Sequence, residues 1–143
     1  MGHTAQQRYL VQQIMAATPA GRVAMLYDRA IGLLNEAIDA IEAGEIERRW
    51  RCNSKAVEIV SHLWETLDMD QGGKIATNLG ELYEFMIGRL TAVDVANDPQ
   101  AARDVIRLLE PLRRSWHTLA EAEAPRPEPA AEPRTSTQIS LSA

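Results

Sequence analysis

The strongest constraint on the fold is a run of apolar residues in steps of three and four: Val23, Leu26, Tyr27, Ala30, Leu33, Leu34, Ala37, Ile38 and Ile41. That spacing gathers the set on one face of an α-helix, whereas a strand would scatter it over both sides of a sheet. The run has marked ends. Thr18-Pro19 offers a side-chain acceptor at the N-cap and a proline at the first helical position, where its missing N–H costs nothing. Gly44 suits the left-handed conformation that closes helices. A stripe of this length must be covered, so the rest of the chain has to supply partners for it.

Three more stripes follow. A second helix is expected from about Ile46 to Leu67, with Ala56, Val57, Val60, Leu63, Trp64 and Leu67 as its apolar side. Asp68-Met69-Asp70-Gln71-Gly72-Gly73 breaks it, because adjacent glycines with flanking acids favour a turn. A third helix contains Asn78–Leu90 and continues through Val93 or Val95. On it Leu79, Leu82, Tyr83, Met86 and Leu90 share a face, while Glu81, Glu84 and Arg89 lie largely off it. The pattern reads as a core stripe, and part of it is open to the reading of a groove wall for another protein's helix. The Tyr83 hydroxyl needs a partner or water in either case. Asn97-Asp98-Pro99 repeats the cap-then-proline start and launches a fourth helix with Val105, Leu109, Leu112, Trp116 and Leu119, widened by Ile106 and Leu108. Pro111 falls inside it. The apolar period resumes beyond the proline, which predicts a kink, with a break into two shorter helices as the alternative.

Four amphipathic helices of some twenty residues joined by short turns predict an all-α, antiparallel up-down four-helix bundle over residues 18–123. Ahead of it, residues 1–17 are largely polar, with Tyr9, Leu10, Ile14 and Met15 as apolar points. Two turns of helix there are unstable unless docked, so the segment either caps an apolar surface or frays. Behind it, residues 124–143 carry prolines every two to four residues and then a polar stretch, which predicts a disordered tail.

Composition narrows the function. The 143 residues amount to one domain, and no apolar run approaches the roughly 18 residues of a membrane span, so a membrane protein is not expected. The N-terminus lacks the basic-then-apolar layout of a secretory signal, and the single Cys52 fits a reducing cytoplasm. A net charge of -5 argues against nucleic acid as a partner. His3, His62 and His117 lie in three different segments and form neither a His-Glu-x-x-His pair nor a Glu-x-x-His motif. Cys52 has Arg51 and Lys55 nearby but neither a histidine nor a second cysteine close in sequence. Gly72-Gly73-Lys74 lacks the first glycine and the preceding strand of a phosphate loop. No catalytic residue, metal site or cofactor is therefore expected, and the chain does not read as an enzyme. Arg48, Arg51 and Lys55 share a helix face, but acids at Glu42, Glu45 and Glu47 point to local ion pairs rather than a DNA surface.

The chain resembles the flagellin export chaperone family, FliS. The resemblance is carried by Leu26-Tyr27-Asp28-Arg29-Ala30-Ile31, by Lys55-Ala56 with Ile59-Val60 and Leu63, and by Leu67-Asp68 with Gly72-Gly73 and Ile75-Ala76. Asn78-Leu79 with Leu82-Tyr83 and Met86, then Leu112-Arg113 with Trp116, complete an ordered set from about Tyr9 to Leu119. Arg29 stands where the family usually has glycine, and Glu84-Phe85 replaces its usual Asp-Tyr. The resemblance implies a cytoplasmic bundle that binds the C-terminal region of flagellin, prevents premature polymerisation and assists delivery to the flagellar type III export apparatus. Carried over by position, it implies flagellin-binding residues Lys55, Ile59 and Leu63 on the second helix with Asn78, Leu79, Leu82 and Tyr83 on the third. Tyr9 and Ile14 would cap an apolar surface until client displaces them. The export gate and a flagellar regulator are further candidate partners, and the chain is open to being a monomer or a homodimer. The alternative is a helical adaptor or regulatory bundle that binds a different amphipathic partner helix.

Overall fold

A computed structural model describes residues 5–124, which form five helices and no strand. These are α1 (Ala5–Ala16), α2 (Pro19–Ala43), α3 (Ile46–Glu65), α4 (Met69–Val95) and α5 (Pro99–Glu123). Helix α2 packs on α3 and α5, and α4 packs on the same two, so α2 and α4 stand diagonally across the bundle. The connections between α2 and α5 are short, which forces successive helices antiparallel. The expected up-down bundle is the fold observed.

Caps set the helix ends. Thr18 Oγ1 accepts from the Gly21 N–H at 3.0 Å, with Pro19 in the first turn. Gly44 takes φ 73°, a left-handed conformation that residues with a side chain rarely adopt, and the Glu45 N–H reaches the Ala40 carbonyl at 2.8 Å. Asp98 caps α5 through the Gln100 N–H at 2.9 Å. The predicted break at residues 68–73 is shorter than its composition suggests. Asp68 Oδ1 accepts from the Gln71 N–H at 2.9 Å and starts α4 at Met69, and the disruption contracts to Gly73, at φ 54° and ψ -129°. Helix α5 runs on through Pro111 to Glu123 without a break. The tail expected from residue 124 onward lies, beyond Ala124, outside the described residues.

The core follows the stripes read from the sequence. Leu34, Val60, Met86, Leu90, Val93, Val105 and Leu109 are fully buried, as are several alanines that let the helices approach closely. At its centre lies a polar contact: the hydroxyls of Tyr27 on α2 and Tyr83 on α4 are hydrogen-bonded to each other across the diagonal. Burial pushes the Tyr27 hydroxyl far above the usual tyrosine range, with the bond to Tyr83 adding to the shift. Burial likewise pushes Tyr83 up. Charged pairs tie the helix flanks: Arg113 and His117 of α5 both hold Asp28 of α2, at 2.6 and 2.9 Å, and Arg89 of α4 holds Asp104 of α5 at 2.9 Å.

Removing one hydroxyl strands its partner, which costs about 1–3 kcal/mol for a buried group. Tyr27→Phe and Tyr83→Phe are each expected to lower the thermal midpoint. The double Phe variant should lose less than the sum. Since both folded pKa values are raised, the pair contributes its stability below the ordinary tyrosine pKa of about 10 and loses it as pH climbs above that value. Melts followed by circular dichroism from neutral to alkaline pH should show this loss in the wild type and a weaker one in the double variant.

Candidate functional site

Helix α3 has α2 on one side and α4 on the other, and a groove runs along each flank. The α2/α3 groove holds about 400 Å³. The half-buried Leu26 and Ile59 form its floor over the buried Leu33, and the exposed Arg29, Lys55, Glu58 and His62 form its rim. The α3/α4 groove holds about 410 Å³, with Val57, Ile87 and Leu90 below and Glu58, Thr91 and Asp94 above. Glu58 borders both.

Beneath the second groove the buried Asn53 ties α3 to α4. Its Nδ2 donates to the Leu90 carbonyl and to Asp94 Oδ2, both at 3.0 Å, while Arg49 holds the other Asp94 oxygen at 3.1 Å. Asn53 Oδ1 is buried without a protein partner among the described residues. Higher on the same flank, Gly80 of α4 gives room to Trp64 of α3. A Cβ there would sit 3.4 Å from the indole nitrogen and 3.7 Å from Leu67. The rings and chains left most open include Trp50, 59% exposed, Phe85, 55% exposed, and Val95, 80% exposed.

The residues expected to bind client do not form one surface. Lys55 and Ile59 share the α2/α3 groove. Leu63, one turn beyond Ile59, is buried in the core, and Tyr83 is occupied there by Tyr27. Without client, both of these expected residues face the interior. Asn78 is exposed on α4, while Leu79 and Leu82 are half-buried against the core. Leu82 lies seven residues before Arg89, on the face that Arg89 turns toward Asp104 of α5, so it looks away from the α2/α3 groove. Of the expected cap, Tyr9 on α1 is 60% exposed, and the side chain of Ile14 lies outside the described residues.

The missed groove residues are those of α2. Leu26, Arg29 and Leu33 recur at steps of three and four, so the edge of the α2 stripe carried the signal. What the sequence withheld was which neighbour that edge meets. The other candidate chemistry resolves into structure. Cys52 is buried, with its thiol pushed up chiefly by burial, and Arg48 of the basic cluster pairs with Glu45 at 2.8 Å. No helix is long and apolar enough to cross a membrane among the described residues.

The model of the family described as flagellar protein FliS matches residues 1–123. The chain belongs to that family. Two relatives agree. The flagellar secretion chaperone FliS of Salmonella typhimurium is 37% identical over 108 residues, covering 75% of this chain and 80% of the relative. That of Vibrio cholerae is 36% identical over 118 residues, covering 78% and 87%. The bundle is also similar to a crystal structure described as a flagellar chaperone from bacteria, with a TM-score of 0.68 at 19% identity over 83% of this chain and 97% of that one. At that identity the likeness speaks to the fold. A FliS chain is a chaperone, which works by binding rather than turnover, so its open grooves rather than a catalytic cluster are where function must be sought.

Core and groove are separable by substitution. Leu63→Ala is expected to destabilise the bundle by about 2–5 kcal/mol, the range for a buried leucine. Ile59→Ala, half-exposed on the groove floor, should cost less than half of that. Urea denaturation of the two variants checks the order; equal losses would place Ile59 in the core.

Proposed function

We propose that this FliS chain is a cytoplasmic export chaperone that binds the C-terminal region of flagellin, prevents its premature polymerisation and assists its delivery to the flagellar type III export apparatus. The observation that carries the reading is an apolar groove that the bundle leaves open, on a chain of the flagellar secretion chaperone family. The groove suits the task. A flagellin terminus outside the filament exposes apolar surface that self-associates, and a chaperone needs only to cover it with a floor of comparable chemistry and a polar rim.

On this reading Lys55 and Ile59 of α3 grip the client together with Leu26 of α2, and Asn78, Leu79 and Leu82 of α4 form a second contact farther round the bundle. A client long enough to touch both must wrap the bundle rather than fill one cleft, ordering itself as it binds. Residues 1–17, with Tyr9 and Ile14, cover apolar surface in the free state and give way to client. The export gate and a flagellar regulator are further partners on this reading.

Isothermal titration of the full chain with flagellin from the same organism tests this. A one-to-one complex is expected, with Ile59→Asp weakening binding by at least tenfold at unchanged helicity. Deleting residues 1–17 should tighten binding. The absence of heat with intact flagellin, together with failure to co-purify, would contradict the proposal.

A further inference from the structure

The rim of the α2/α3 groove carries more cation than the fold uses. Elsewhere on the bundle five arginines are engaged: Arg48 with Glu45, Arg49 with Asp94, Arg89 with Asp104, Arg103 with Glu42 and Arg113 with Asp28. Arg51 and Arg107 form no ion pair with a described residue, but neither shares a groove with a second such cation. Arg29 and Lys55 form no ion pair with any described residue, though both are exposed and stand on opposite walls of one groove. Asp28, next to Arg29 in the chain, is taken by Arg113 and His117 on the α5 side and does not neutralise it. The acid on the rim, Glu58, lies on α3 and also borders the α3/α4 groove. The rim is therefore uneven: the α2 wall is positive, and the α3 wall carries Lys55 and Glu58 one turn apart.

We infer that Arg29, acting with Lys55, is a specificity-determining residue that reads an acidic side chain on the client segment seated in this groove. The inference rests on the proposed flagellin reading and adds to it the chemistry of the bound segment. Apolar anchors fill the floor over Leu26 and Ile59, and a carboxylate beside them lies toward α2, between Arg29 and Lys55. Glu58 repels an acid placed on the other side, which fixes the register of the segment by exclusion as well as attraction. Arginine suits such a reader, since its planar fork takes a carboxylate through two parallel hydrogen bonds.

Rim charges act mainly on encounter and on salt dependence. The test is titration of the full-length chain with the C-terminal segment of flagellin from the same organism, at about 50 mM and about 500 mM salt, on either side of the range where screening over 10 Å sets in. The wild type should lose about tenfold in affinity across that interval. Arg29→Gly with Lys55→Gln should bind several-fold more weakly at low salt and respond little to salt, and Arg29→Glu should bind better as salt rises. Arg107→Gln on α5, one cation removed from a helix that does not wall the groove, controls for net charge and should keep the wild-type response. A double variant with the wild-type affinity and salt slope, or an Arg107→Gln variant with the same loss, overturns this inference and leaves the flagellin reading standing. No binding by the wild type at either salt overturns both.

Discussion

Two hydroxyls at the centre of an otherwise apolar core decide how the bundle closes. Tyr27 and Tyr83 sit on helices that do not pack side by side, and their hydrogen bond joins them across the diagonal. A buried hydroxyl without a partner costs more than its bond returns, so each tyrosine makes the position of the other helix matter. A core of leucine and alanine alone would tolerate a helix rotated or slid by part of a turn. The pair removes that freedom and fixes which face of α4 points inward. Once Tyr83, Met86 and Leu90 are inside, Phe85 is left outside and Gly80 is brought under Trp64.

Fixing the interior in this way releases the flanks. The helices are held by the diagonal pair, by Asn53 between α3 and α4 and by ion pairs along the α2/α5 and α4/α5 seams. The grooves on either side of α3 then need not be sealed for the bundle to stand. Their rims differ in charge, Arg29 and Lys55 bordering the first and Asp94 the second, with Glu58 on both and Asp94 already engaged by Arg49. A binding protein without catalytic residues discriminates through such differences in apolar shape and rim charge.

The fold was legible because each helix carries its own punctuation and its own stripe. Thr18-Pro19, Gly44 and Asp98-Pro99 fall where the structure caps its helices, and Pro111 was rightly read as internal because the apolar period resumes at Leu112. The extent of the Asp68–Gly73 break was not legible. Two glycines argue for a turn, but the Asp68 side chain recovers a helical start that composition does not display. The site was legible only in part. A stripe residue and a groove residue look alike in one helix, since the difference lies in which neighbour stands opposite. Leu63 and Ile59 are one turn apart and equally apolar, yet the first points into the core and the second into open space. Arg29 is the converse case: a charge at the stripe's edge reads as a solvated residue until the facing helix supplies Lys55 and an apolar floor between them.

The central claim is that a rigid interior leaves the α2/α3 groove free to take client without remodelling the bundle. Methyl-resolved nuclear magnetic resonance of the full chain, titrated with the flagellin C-terminal segment, tests it most directly. The account predicts that the methyls of Leu26 and Ile59 shift on binding while those of Leu34, Leu90 and Leu109 stay in place. Shifts spread through the core methyls, or absent from the two floor residues while client binds, would contradict it.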